Sequence, residues 1–132
     1  MAETEHRHDV LVIEDDPTIR RVLCEVLTAR GCQVVVARDS AEASAHLSSD
    51  RRPCILFVDT MLPGIDLRYL TEQLHLRPVQ ERVPVVALTA SRNAAGVRLL
   101  GAVDCLEKPF AFGRVLDIVA KHCARVVRQR SS

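Results

Sequence analysis

No stretch of this chain approaches the roughly 20 consecutive apolar residues needed to cross a bilayer, so no membrane span is expected. Met1 to Asp9 is polar and charged with no apolar centre, and is not expected to act as a secretory signal. No CxxC pair occurs among Cys24, Cys32, Cys54, Cys105 and Cys123, and their number is odd. A disulfide framework and a zinc site are therefore not expected; reduced, buried thiols in a cytoplasmic protein are. Neither sign of charge is in excess: 18 Lys and Arg stand against 17 Asp and Glu, so nucleic acid or an acidic surface is not called for as a partner. Repeats, low-complexity tracts and linkers are also missing. Hydrophobic residues make up 48% of the 132 residues, too many for a disordered chain. One globular domain is expected over residues 9–126, with flexible tails at 1–8 and 127–132.

Short β-branched runs alternate with helical periodicity. Val10–Ile13 reads as a strand buried on both faces. Asp16-Pro17 then caps and opens a helix carrying Ile19, Val22, Leu23, Val26 and Leu27, which Gly31 stops. Gln33–Ala37 is a second strand. Asp39 or Ser40 starts a short helix, with Glu42 placed for a capping box on Asp39. Cys54–Val58 is a third strand, followed by a Pro63-Gly64 loop and a helix marked by Leu67, Leu70 and Leu74 that Pro78 ends. Val83–Leu88 is a fourth strand, Asn93–Leu100 a short helix closed by Gly101, and Val103–Leu106 a fifth strand. Phe112, Val115, Leu116, Val119, Cys123 and Val126 form the stripe of a last helix, with Arg125, Arg128 and Arg130 near its C-terminal end. Five such alternations argue for an α/β fold: a three-layer, doubly wound, five-stranded parallel sheet.

Ligands of open parallel sheets bind beyond the carboxyl ends of the strands. There the sequence places Glu14, Asp15 and Asp16 after the first strand and Asp59 after the third. Thr89 follows the fourth and Lys108 the fifth. Singly, each has an ordinary role: acidic residues cap helices, Asp59 makes a turn, Thr89 is an N-cap and Lys108 a solvated charge. Together they offer carboxylates, a hydroxyl and an ammonium on one edge. That set suits a hard cation and a phosphoryl group, with Asp59 as a carboxylate nucleophile.

The segments VLVIEDDPTIR, FVDTMLPGID, PVVALTA and CLEKPF resemble the four signature segments of response-regulator receiver domains, and the likeness covers Asp9 to about Arg125. It implies a flavodoxin-like fold with strand order 2-1-3-4-5. It also implies that Asp59 accepts the phosphoryl group, that Thr89 and Lys108 hold its oxygens, and that Mg²⁺ is bound by Asp15, Asp59, the backbone carbonyl of Met61 and, mainly through water, Glu14. The donor would be a sensor histidine kinase or a histidine phosphotransfer protein, and the chain would be a signalling receiver rather than a turnover enzyme. Output would go to a downstream protein, with no direct nucleic-acid or membrane contact, from a monomer or a phosphorylation-linked dimer in the cytoplasm.

Three features depart from that pattern. Cys105 stands at the switch position, where receivers carry Tyr or Phe, and is too small to fill the volume of a swinging ring. Leu67 replaces a glycine where the loop enters the third helix, which threatens that exit. Thr89 to Lys108 is shorter than usual by about three residues, so the fourth helix is expected to be short or irregular. All three fall on the output side and suggest signalling through an atypical surface. Met61 and Ser91 flank the path expected for a hydrolytic water. Two rivals follow. A receiver-like adaptor independent of phosphorylation would ordinarily lack one of the acidic pair, Asp59 or Lys108. A haloacid-dehalogenase-type phosphatase would want a second Asp where Met61 stands, and a cap domain for which there is no room.

Overall fold

Among the described residues, five strands alternate with five helices: β1 (Asp9–Ile13), α1 (Pro17–Ala29), β2 (Gln33–Ala37), α2 (Ser40–Leu47), β3 (Ile55–Asp59), α3 (Leu67–His75), β4 (Val85–Thr89), α4 (Ala94–Leu99), β5 (Asp104–Glu107) and α5 (Phe112–His122). The computed structural model describes residues 9–47, 53–62, 66–76, 83–89 and 94–123. Every strand pairing is parallel, and the order is β2-β1-β3-β4-β5. This is the flavodoxin-like arrangement expected from the sequence.

Alternation within the strands builds two cores. Leu11, Ile13, Leu56, Val58, Val85 and Ala87 face one side, with Ala43, Leu47, Leu74 and Val97 from α2, α3 and α4. Val10, Val12, Ile55, Phe57, Val86, Leu88 and Leu106 face the other, with Leu23, Leu27, Val115 and Ile118 from α1 and α5. Strands buried on both faces are continuously apolar because neither side meets water.

Local signals explain the helix ends. The Asp16 carboxylate accepts the N–H groups of Thr18 at 2.9 Å and Ile19 at 3.3 Å, and Pro17 occupies the first turn. Gly31 follows the C-cap at φ +87°, a region that side chains disfavour. The Asp39 carboxylate accepts the Glu42 N–H at 2.9 Å. Glu42 reaches back to the N–H of Arg38 at 2.8 Å, one residue further than the usual return bond of a capping box.

Several boundaries differ from those read in the sequence. β3, β4 and β5 each run one residue past their apolar run, so Asp59, Thr89 and Glu107 are paired within the ladder. Backbone pairing does not depend on side-chain polarity. β3 starts at Ile55, β4 at Val85 and β5 at Asp104 rather than at Cys54, Val83 and Val103. α5 ends at His122, where Cys123 is the C-cap; Val126 and the three arginines expected beyond it lie outside the described residues. Pro63, Gly64, Pro78, Ser91 and Asn93 also lie outside them. Leu67 does not disturb the entry to α3. It is the first helical residue, the Asp66 carboxylate caps the turn by accepting the Tyr69 N–H at 3.1 Å, and no described non-glycine residue has a positive φ. α4 is only six residues long, in keeping with the short interval before Lys108.

Candidate functional site

β1 and β3 are neighbours in space, but their connections leave in opposite directions. That reversal opens a crevice at the carboxyl ends of the strands. Glu14 leaves β1 there. Its N–H donates to the Ala37 carbonyl at 3.3 Å, which fixes the direction of its side chain into the protein, and it is fully buried. Its Oε1 accepts the Asp16 N–H at 3.1 Å, so the turn that caps α1 also holds the carboxylate. Asp15 points to solvent at the same turn.

Asp59, the last residue of β3, is 5% exposed. Its Oδ1 accepts the Met61 N–H at 2.8 Å. Its Oδ2 accepts from Lys108 Nζ at 3.0 Å, and the same ammonium donates to Glu14 Oε2 at 3.0 Å. Lys108 is carried by the turn after β5. Its own N–H donates to the Thr89 carbonyl at 2.7 Å, and the Lys108–Pro109 peptide is cis. Thr89 is buried at the end of β4, beside Leu88, which is the register partner of Asp59. Four strands thus deliver Glu14, Asp59, Thr89 and Lys108 to one edge.

The electrostatics follow from burial and these contacts. Burial raises the Glu14 carboxyl above the ordinary range, and the neighbouring Asp59 carboxyl acts in the same direction. Burial also pushes Asp59 up, but the Met61 N–H, Glu14 and Lys108 outweigh it and hold that carboxyl below its usual value. Lys108 loses hydration on burial, yet its two carboxylates hold it above the usual lysine range. Of the carboxyl pair, Glu14 therefore takes up a proton first. One carboxylate oxygen each from Glu14, Asp15 and Asp59 lies within 4.8 Å of the others. A small hard cation fits such an all-oxygen set, because Mg²⁺ takes one or two carboxylates and keeps water in its remaining positions.

The chain matches the family model of the response regulator receiver domain over residues 10–120. It belongs to the response regulator receiver family. Protein PilG of Pseudomonas aeruginosa is 32% identical over 116 residues, which cover 86% of this chain and 85% of PilG. The response regulator MprA of Mycobacterium avium is 37% identical over 111 residues, 81% of this chain but only 47% of MprA. Among solved structures, a putative response regulator from Chloroflexus aurantiacus superposes with a TM-score of 0.79 at 30% identity, covering 89% of this chain and 98% of that one. Receivers of this family serve two-component signalling. Among the described residues no helix is long and apolar enough to cross a membrane.

On this receiver, Lys108 joins Glu14 and Asp59, and Thr89 ends the neighbouring strand, its carbonyl accepting the Lys108 N–H. Asp15 is at the rim, and Met61 reaches Asp59 through its N–H while its side chain is 70% exposed. Cys105, opposite Ala87 in the ladder, is half-buried and packs on the core of the α2, α3 and α4 face. Sequence reading passed over Asp104. This buried carboxylate lies 3.3 Å from Arg114, 3.5 Å from His122 and 3.6 Å from Arg98, and its Oδ1 accepts the Cys105 N–H at 2.9 Å. Burial pushes its carboxyl up, but the Cys105 N–H, His122 and the nearby cations outweigh that and hold it below the ordinary range. An acidic residue at the head of an apolar strand was the available signal. It ties β5 to α4 and α5, beside the position that carries Cys105.

Proposed function

We propose that this receiver is a phosphorylation-controlled switch of a cytoplasmic two-component pathway. It would take a phosphoryl group from a phosphohistidine on a sensor histidine kinase or a histidine phosphotransfer protein, and signal through contact with a downstream protein. In the transfer, a carboxylate oxygen of Asp59 attacks phosphorus, the bond from phosphorus to the imidazole nitrogen breaks, and the histidine leaves. The single observation that carries this reading is the placement of Lys108 Nζ at 3.0 Å from both Asp59 and Glu14. A fixed ammonium beside a carboxylate held in its charged form is what an incoming phosphoryl group requires.

The other residues divide the remaining work. The Met61 N–H orients Asp59 by holding Oδ1, and burial keeps water away from the reacting oxygen. Lys108 would exchange carboxylate contacts for phosphoryl oxygens, and the Thr89 hydroxyl would donate to another. Glu14, Asp15, Asp59 and the Met61 carbonyl would hold Mg²⁺. The ion would neutralise charge on the phosphoryl oxygens as it forms.

The test is Mg²⁺-dependent labelling of the wild type and of Asp59→Asn with acetyl phosphate, read by intact mass. One added phosphoryl group that needs Mg²⁺ and disappears in the variant supports the reading. No adduct on the wild type refutes it and favours a receiver-like adaptor that works without phosphate.

A further inference from the structure

The amino ends of the strands, opposite the acidic site, gather three of the five cysteines. Cys32 immediately precedes β2, Cys54 immediately precedes β3, and Cys123 caps the end of α5. Cys32 and Cys123 are buried in the core beneath α1 and α5, and Cys54 packs against the same core from a half-buried position. All five thiols are free, yet Cys54 Sγ and Cys123 Sγ are 2.8 Å apart. The Cys123 sulfur also lies 3.8 Å from the Cys54 carbonyl oxygen, so within that core it is directed at Cys54.

We propose that Cys54 and Cys123 are a reversible dithiol–disulfide site that ties the end of α5 to the start of β3. A disulfide spans about 2.05 Å between sulfurs, so closing the bond brings the two sulfurs together by less than roughly 1 Å. The roles of the two thiols follow from their exposure. Half-buried Cys54 can meet a small oxidant; buried Cys123 cannot, but it lies against Cys54 and resolves the intermediate. The oxidant class is a low-molecular-weight disulfide such as oxidised glutathione.

Cys54 loses its proton to solvent and its sulfur attacks the glutathione disulfide. One glutathione departs as a thiolate and takes up a proton. Cys123 then loses its proton and attacks the Cys54 sulfur, expelling the second glutathione. Two protein thiols and one oxidised glutathione become one protein disulfide and two reduced glutathiones, and two electrons pass to glutathione. The neighbouring Cys123 thiol and burial hold the Cys54 thiol protonated far above its ordinary range, so exchange is slow at neutral pH and accelerates as pH rises. In a reducing compartment the dithiol is the resting form, and the bond forms only under oxidative load.

This site is chemically separate from Asp59. β3 places the two at its opposite ends, about 16 Å apart at the usual rise per residue. Oxidation would therefore pin α5, which packs on β5 beside Asp104 and Cys105, without touching the acidic pocket.

The experiment incubates the full chain with oxidised glutathione at pH 7.0 and 8.5, quenches with acid, alkylates, and reads intact mass and non-reducing peptide maps. The expected product has lost two hydrogens, keeps three alkylatable thiols and yields a linked peptide pair containing Cys54 and Cys123. It forms about thirtyfold faster at pH 8.5, since the thiolate fraction of so strongly protonated a thiol rises tenfold per pH unit, and it reverts with dithiothreitol. Cys32→Ser still forms the bond and Cys54→Ser does not. Arrest at a stable glutathione adduct, persistence of five alkylatable thiols, or a Cys32–Cys54 link would each overturn the proposal.

Discussion

Replacing Lys108 with methionine removes one positive charge while keeping most of the apolar stem that carries it. The ammonium lies 3.0 Å from Glu14 and 3.0 Å from Asp59, whose side chains are 0% and 7% exposed. Taking one partner from a buried ion pair costs about 3–5 kcal/mol, because the remaining charge is stranded. Two features reduce that figure here. Glu14 and Asp59 are adjacent carboxyls, so a single proton taken up by Glu14 neutralises half of the stranded charge, and Asp59 keeps its bond to the Met61 N–H. The expected loss is about 2–3 kcal/mol at pH 7, read as a lower urea midpoint at unchanged slope in metal-free buffer. The pH dependence has a definite sign. Asp59 sits below its ordinary value in the wild type, so it contributes stability above about pH 4 that is lost as pH falls through the folded value. Lys108 sits above its ordinary value, so its contribution is constant below about pH 10. Removing Lys108 raises both carboxyls, so the deficit is widest at neutral pH and narrows as pH falls through the variant's raised values toward about pH 4. Millimolar Mg²⁺ should then restore more stability to the variant than it adds to the wild type, since the cation replaces the lost charge. An equal deficit at pH 4 and pH 7 would refute the charge argument and leave a packing defect as the cause.

Gly101→Ala should lower stability by about 2–4 kcal/mol in urea unfolding. At φ +105° a Cβ would lie 2.6 Å from the Thr71 hydroxyl, which donates to the Leu100 carbonyl at 2.6 Å and joins α3 to the end of α4. Asp104→Asn should cost about 1–2 kcal/mol at pH 7, discounted because Arg98 and Arg114 are more than half exposed. Its folded carboxyl is depressed, so the cost should shrink as pH falls below about 4 and vanish once pH passes below the folded value; urea midpoints across pH check this. Met61→Asn should change stability by less than about 0.5 kcal/mol, because the side chain is exposed, and should shorten the lifetime of phosphorylated Asp59 by presenting a water to it. Decay of the phosphorylated mass after donor removal measures that lifetime.

The sequence alone carried the layer order and the strand-end positions of the acidic site's candidates. Continuous β-branched runs are informative because strands buried on both faces tolerate little else, and Glu14, Asp59, Thr89 and Lys108 stand at the strand ends that a parallel sheet must bring together. Caps were legible for the same reason: Asp16, Asp39 and Gly31 act on backbone groups within a few residues. Strand ends were less legible, since the ladder continues through Asp59, Thr89 and Glu107 regardless of polarity. Contacts between residues distant in the chain came only with the folded structure. Lys108 bridges Glu14 and Asp59, Thr71 meets Leu100, Asp104 gathers cations from α4 and α5, and Cys54 meets Cys123 across 69 positions. No local pattern encodes such pairs; they depend on which helix packs on which strand and at what register.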